Sequence, residues 1–136
     1  MACCSEEKEK VARIVYTCSG CCAEGKASDL VGRRLRSAGY AQCGSSCLAG
    51  IGAGYPRFLK AAQEASEVIV IDGCKMVCAK TMLKKANITA TAYNLLDMGF
   101  TEEQDQDIFI TTVCQHIRNS SRQPVTDSKE KTYESF

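Results

Sequence analysis

Two short runs of strand-forming residues, each followed by a cysteine, constrain the fold of this chain most strongly. Residues 68–71 are wholly apolar and β-branched, which is typical of a central parallel strand covered on both faces. Residues 11–16 are also rich in strand formers. Cys18 follows the first run and Cys74 follows the second. Because the carboxyl ends of parallel strands meet at one edge of a sheet, the sequence predicts that these thiols gather there.

The rest of the chain alternates between helical and extended patterns. We expect helices at residues 28–39, 56–65, 76–87 and 105–118, further strands at 40–48 and 89–95, and a loop at 50–54. Ser28 is the expected N-cap of the first helix, Gly39 its stop, and Pro56 the start of the second. Strands that alternate with helices pair in parallel through right-handed crossovers. The sequence therefore predicts a single three-layer α/β domain with a mostly parallel sheet, Rossmann-like or flavodoxin-like.

We expect one folded domain at residues 11–118, between a solvated arm at 1–10 and a polar tail at 119–136. A chain of 136 residues can bury a core without cross-links. The charged start lacks the apolar segment of a secretory signal, and no stretch approaches the roughly 18 apolar residues of a membrane span. These features predict a cytoplasmic protein that does not enter a membrane.

Charge and motifs argue against two further classes of function. The net charge is +1 with both signs interspersed, so no basic face indicates nucleic-acid binding. Residues 20–27 imitate a phosphate-binding loop, but Ala27 stands where a Ser or Thr hydroxyl must hold Mg²⁺. We therefore expect neither a nucleic-acid partner nor nucleotide hydrolysis.

The chain contains ten cysteines and a single histidine, so its potential metal ligands and reactive groups are mainly thiols. Thiols that a fold brings together form disulfide bonds, a redox centre or a metal site. In the reducing cytoplasm such a cluster is more typical of metal binding or catalysis than of cross-links. Four cysteines fit the predicted sheet edge: Cys18, Cys47, Cys74 and Cys78. Cys78 joins the group because it lies one helical turn past Cys74.

Three motifs in order resemble those of the DGC-domain family. They are Cys18-Ser-Gly20, then Cys47 before a glycine-rich segment, then Ile71-Asp-Gly-Cys74 followed by Cys78. The likeness covers residues 11–118, and the family is named for its Asp-Gly-Cys motif. Its four cysteines are thought to bind zinc, which implies Zn²⁺ at Cys18, Cys47, Cys74 and Cys78 here. Zinc accepts four thiolates in closed tetrahedral sites.

Other residues near these positions carry weaker expectations. Cys21, Cys22 and Cys43 are predicted as additional ligands or redox thiols. Asp72 and Gly73 are expected to shape the site. Asp72 would cap the following helix or fix the turn, and Gly73 would allow close backbone approach or a positive φ.

Two functions remain open at this stage. The first is a zinc-binding protein with a structural, metal-binding or sensing role. It would not be an enzyme, because catalytic zinc keeps an open coordination position. The second is a thiol-dependent enzyme for sulfur or selenium transfer or disulfide exchange, with Cys21 or Cys22 as the reactive thiol beside the metal. The sequence indicates no protein partner and no catalytic acid or base.

Overall fold

The computed structural model describes residues 12–20 and 22–120. These ranges contain three strands and five helices, in the order β1 (Arg13–Thr17), α1 (Ala23–Ser37), α2 (Leu48–Gly52), α3 (Pro56–Glu64), β2 (Glu67–Asp72), α4 (Cys78–Lys85), β3 (Thr91–Asn94) and α5 (Gln106–Ser120). Cys21, the expected arm at 1–10 and residues 121–136 of the expected tail lie outside the described residues.

The three strands form one parallel sheet in the order β1-β2-β3. Thr17 pairs with Ile71, and Asp72 pairs with Asn94, so the carboxyl ends of all three strands are level. This register confirms the α/β domain with a parallel sheet. All three strands therefore end, and continue into a loop, at the same edge of the sheet.

Two apolar clusters cover the two faces of the sheet. Ile69 and Ile71 of β2 pack into one cluster with α1 and α5, whereas Val68 and Val70 pack into the other with α2, α3 and α4. Successive side chains of a strand point to opposite faces, so one wholly apolar strand contributes to both cores. This is the three-layer arrangement predicted from the apolar run at 68–71.

The first helix begins earlier than expected. α1 starts at Ala23, and Ser28 lies inside it, fully buried, so the prediction of Ser28 as N-cap is wrong. The cap is Cys22, whose sulfur accepts the N–H of Gly25 at 3.3 Å. Sulfur is not among the usual capping atoms, which explains why the sequence pattern did not show this start. Gly39 follows the C-cap with φ +74°, as predicted for a helix stop.

The segment between α1 and α3 differs from the sequence prediction. No strand forms at 40–48, because Ser45 has a positive φ of 63° and interrupts the extended conformation. Residues 50–54 were expected as a loop, but Gly50 and Ile51 belong to α2. Gly50 lies against the ring of Phe58, where a Cβ atom would clash, so close packing rather than flexibility requires this glycine.

The remaining elements follow the prediction with shifted ends. Pro56 is the first residue of α3, as expected. α4 begins at Cys78 instead of residue 76, because Val77 has the left-handed conformation. In the ranges described here, no helix has the length and apolar character that crossing a bilayer requires.

Candidate thiol site

Cys18 joins the ends of β1 and β2. Its backbone N–H donates to the carbonyl of Ile71 at 3.1 Å and thus prolongs the ladder between the strands. Its sulfur accepts the N–H of Gly73 at 3.1 Å and lies 3.0 Å from the hydroxyl of Ser28. The half-buried thiol is therefore held by both connections that leave the sheet at this edge.

Ser28 gives the sulfur of Cys18 a partner in either protonation state. Its buried Oγ lies 2.7 Å from the carbonyl oxygen of Cys18 and 2.8 Å from that of Gly25. A hydroxyl has one hydrogen, so when it donates to a carbonyl, its oxygen can accept the S–H of a neutral Cys18. When Cys18 is a thiolate, the same hydroxyl can donate to the sulfur.

Cys22 caps helix α1 and is half-buried. The N–H of Gly25 lowers the pKa of the Cys22 thiol. A hydrogen bond with Glu24, burial and the charges of Glu24 and Cys74 together raise it by more, so the pKa lies above its ordinary value. Reactive thiols at helix N-termini have lowered pKa values. Cys22 therefore lacks the electrostatic mark of an activated nucleophile.

Asp72 is the last residue of β2, and its side chain caps helix α4 across the intervening turn. Its two carboxylate oxygens accept the N–H groups of Ala79 and Lys80, each at 2.9 Å. Burial raises the pKa of this carboxyl, and the two hydrogen bonds lower it by less. Because each oxygen accepts an N–H group from the first turn of α4, Asp72 fixes the connection that carries Cys74 and Cys78.

A strained turn joins Asp72 to α4 and carries Cys74. The carbonyl of Cys74 accepts the N–H of Val77 at 3.3 Å and the side-chain amide of Asn94 at 2.9 Å. Val77 has φ +45°, which is rare for a β-branched residue and costs about 1–3 kcal/mol. The turn leaves Cys74 half-buried and places Cys78 at the exposed start of α4.

Two glycines allow close backbone approaches at this edge: Gly73 between the two connections, and Gly25 within the first of them. A Cβ atom built at Gly73 would collide with the carbonyl group of Glu24, and one at Gly25 would lie 2.8 Å from the backbone nitrogen of Gly20. The φ of Gly73 is not positive, so the expectation of a positive φ at this glycine is wrong. Glycine is required at position 73 because the turn after β2 and the first turn of α1 are in backbone contact.

Cys47 precedes helix α2, which packs on the face of the sheet that carries Tyr16. Cys47 precedes α2 as its N-cap, is exposed, and makes no capping hydrogen bond. Leu48, the next residue, packs against the cluster that contains Tyr16. Burial and the charge of Cys47 raise the pKa of Tyr16 to about 12, so Tyr16 is a neutral hydrogen-bond donor at physiological pH.

The structure brings some of the predicted residues together and not others. Cys74 lies close enough to Cys18 and to Cys22 for its charge to raise the pKa of each. Cys43 is exposed, with its sulfur 4.0 Å from the carbonyl of Arg36. All seven cysteines of the described ranges are free thiols. In those ranges no three His, Cys, Asp or Glu residues form a group that could hold a metal, and the four-cysteine zinc site stays a prediction.

The donors at this edge nevertheless suit a soft metal in their chemistry. They are thiols, because Asp72 is committed to α4 and the imidazole of His116 is exposed on α5, 6.1 Å from the ring of Tyr93. The N–H of Gly73 already points to the sulfur of Cys18. A hydrogen-bond donor that holds the sulfur in this way can orient it toward a bound metal.

Sequence reasoning missed four residues of this edge, namely Tyr16, Ser28 in its contact with Cys18, Cys22 as a cap, and Asn94. Asn94 is the last residue of β3, so the strand-end argument that selected Cys18 and Cys74 would also have selected it. Cys22 was missed because sulfur is not a usual capping atom. The roles of Tyr16 and Ser28 depend on tertiary contacts, which no local pattern indicates.

Residues 14–119 match the family model described as DGC domain. The chain belongs to the DGC-domain family. A curated relative from Pseudomonas aeruginosa, the "Anaerobic and virulence modulator AnvM", is 28% identical over 95 residues, which are 69% of this chain and 71% of the relative. No solved structure gives a significant match. The resemblance inferred from the three cysteine motifs is thereby confirmed.

Proposed function

We propose that this protein binds one Zn²⁺ ion through Cys18, Cys47, Cys74 and Cys78 at the carboxyl edge of its sheet. The observation that carries the proposal is the hydrogen bond from Gly73 to the sulfur of Cys18, 3.1 Å long. It joins the first cysteine motif of the family to the Asp-Gly-Cys motif in space. When bound, zinc supplies strong sulfur bonds that tie three loops to one point.

The surroundings can balance part of the charge of such a site. Four thiolates more than neutralise Zn²⁺, and the excess negative charge needs donors nearby. The N–H of Gly73 and the hydroxyl of Ser28 can both donate to the sulfur of Cys18. Lys75, next to Cys74, is exposed and adds a positive charge at the rim.

The role of the metal in this proposal is structural or sensory rather than catalytic. A closed site of four sulfurs has no open position for a substrate or an activated water. Asp72 also does not offer a free carboxylate that could act as a base beside the metal, because each of its oxygens accepts a backbone N–H group. The name of the Pseudomonas aeruginosa relative describes a modulator, which agrees with a sensing role.

Metal analysis of the full chain, purified under reducing conditions, tests the proposal. We expect about one equivalent of zinc, displaced only by a strong competing chelator. Single Cys→Ser variants at the four ligand positions should each lose most of the affinity. Cys114→Ser is the matched control, because this thiol is buried between α1 and α5, 3.8 Å from the carbonyl of Val31. Zinc well below one equivalent in the wild type would refute the proposal.

One observation keeps the thiol-enzyme alternative in view. Cys22 and Cys74 lie next to the backbone contact between Gly73 and Glu24, which brings together the two segments that carry these thiols. The raised pKa of Cys22 argues against this alternative. Iodoacetamide labelling of the zinc-loaded protein at neutral pH separates the two functions. Rapid labelling of Cys22 with zinc retained would favour the enzyme, and protection until chelator is added would favour the binding protein.

A further inference from the structure

The outer edge of β1 is covered by the chain itself. The carbonyl of Arg13 accepts the N–H of Gln42 at 3.0 Å. The carbonyl of Val15 accepts a guanidinium N–H of Arg36 at 2.9 Å. Arg36 belongs to α1 and Gln42 follows that helix, so the end of α1 and the segment after it occupy this edge. Cover of this kind keeps an outer strand from pairing with another chain.

The outer edge of β3, the other outer strand of the sheet, lacks such cover. The N–H of Leu95 donates to the carbonyl of Asp72 at 2.9 Å. Alternate residues of a strand bond to the same neighbour, so the backbone groups of Ala92 and Asn94 point away from β2. Within residues 12–20 and 22–120, nothing accepts the N–H of either residue or donates to the carbonyl of Ala92. Ala92 is also exposed.

The sequence around this edge lacks the residues that usually keep edge strands apart. Residues 86–96 contain no charged side chain and no proline. Exposed edges are commonly protected by lysine, by proline or by charges that point inward. Like charges that face each other across two strands are destabilising. An uncharged edge can therefore meet an identical edge without repulsion, and this favours a second copy of the chain as its partner.

We propose that two copies of this protein associate through antiparallel pairing of β3 with β3, which joins their sheets into one. Identical strands pair in this way about a two-fold axis. With the axis at Ala92, the two Ala92 residues exchange N–H and carbonyl bonds, and the N–H of each Asn94 donates to the carbonyl of Ala90 in the other copy. The pairing goes beyond the proposed function and requires no bound metal.

The side chains of the edge fit this register. Thr91 of one copy lies opposite Tyr93 of the other, because each is one residue from the axis. Both residues are on the face of the sheet that α5 covers, since Thr91 pairs with Ile69 and Tyr93 with Ile71. A β-branched residue opposite an aromatic one is a favourable cross-strand pair.

Sedimentation equilibrium of the full chain in a reducing buffer tests the inference. Reducing conditions exclude dimers that are linked by disulfide bonds. We expect a reversible equilibrium of monomer and dimer with a dissociation constant of about 0.1 mM, because a strand of four residues offers few hydrogen bonds. A chain that remains monomeric up to about 1 mM would overturn the inference.

Two substitutions at the edge locate the interface. Thr91→Lys adds a charge to an exposed side chain, and Ala92→Pro removes the outward N–H. Each should weaken dimerisation about 10-fold or more, and Thr91→Lys should leave the thermal unfolding of the monomer unchanged. Ser37→Lys is the matched control, because this exposed serine ends α1, beside the segment that covers the opposite edge. A dimer that tolerates both edge substitutions would refute the inference.

Hydrogen exchange measured by NMR tests the register. At high protein concentration the amide protons of Ala92 and Asn94 should be protected, and dilution should remove this protection. The amide proton of Tyr93 faces β2 and should stay protected at every concentration. Absence of protection at Ala92 would refute the pairing. Protection at Ala92 that does not depend on concentration would show that another part of the same chain covers the edge, which also overturns the inference.

Discussion

Two of the strand-to-helix connections at the carboxyl edge of the sheet cap their helices with different atoms. In the connection from β1 to α1, the sulfur of Cys22 accepts one N–H group from the first turn. In the connection from β2 to α4, the carboxylate of Asp72 accepts two, those of Ala79 and Lys80. The helix cap is thus a thiol in the first connection and a carboxylate in the second.

The difference shows which thiols the fold itself uses to begin a helix. Because Asp72 caps α4, neither Cys74 nor Cys78 serves as the cap of that helix. Cys22 lies at the same edge and accepts the N–H of Gly25 as the cap of α1. A thiol is therefore part of the helix start in one connection and not in the other.

The largest expected effect comes from removing the cap of α4. Asp72→Ala leaves two N–H groups without their buried acceptor and should lower the free energy of unfolding by about 3 kcal/mol. Asp105→Ala is the matched control, because this exposed carboxylate caps α5 through one bond to Ile108, 3.0 Å long, and should cost about 1 kcal/mol. Urea unfolding of the metal-free proteins measures both. Equal losses at the two positions would contradict the special role of Asp72.

A smaller effect is expected at the cap of α1. Cys22→Ala should cost about 1 kcal/mol, whereas Cys22→Ser should cost less than about 0.5 kcal/mol, because a hydroxyl oxygen is a preferred capping atom. Cys78→Ser, at a thiol that is exposed, should leave the stability of the metal-free protein unchanged. If serine at position 22 were as destabilising as alanine, the sulfur of Cys22 would stabilise the fold by something besides its capping hydrogen bond.

The smallest effect concerns thiol reactivity in the metal-free protein. Burial raises the pKa of the Cys18 thiol, and the hydrogen bonds from Ser28 and Gly73 lower it by less. A raised thiol pKa means less thiolate at pH 8, so alkylation of Cys18 should reach half its maximal rate at a higher pH than that of an ordinary thiol.

Iodoacetamide labelling followed by mass spectrometry measures this pH dependence. At pH 8, Cys18 should react roughly several-fold more slowly than the exposed Cys78. The buried Cys114, whose pKa is also raised by burial, sets the slow limit. A Cys18 that reacts as fast as Cys78 would mean that the two connections do not differ in the accessibility of their thiols.

The parallel sheet could be predicted because its signal is local. The apolar, β-branched run at 68–71 is typical of a strand buried on both faces, and its alternation with helices indicated the parallel pairing. The start of α1 could not be predicted, since its cap is a sulfur atom and its usual capping residue, Ser28, is buried in the interior of the helix. Gly50 lies within a helix and against the ring of Phe58, a tertiary contact that no local pattern reveals.

The candidate site could be predicted only as far as topology determines it. The level ends of the strands bring Cys18 and Cys74 to one edge, and this follows from the order of the elements. The partners of each sulfur follow from tertiary contacts, such as the hydrogen bond from Gly73 to Cys18. The cysteine pattern therefore indicated where thiols would gather, but not which of them the fold would already use.

The contact between Gly73 and the backbone of Glu24 has a mechanical consequence. There is no room for a methyl group between them, so the turn that carries Cys74 cannot move toward α1 without pushing the whole helix. At its other end α1 is tied to α5 by the ion pair of Arg34 with Asp107, 2.7 Å long. A shift of this turn toward α1 would therefore have to move α1 together with the apolar cluster that it shares with α5.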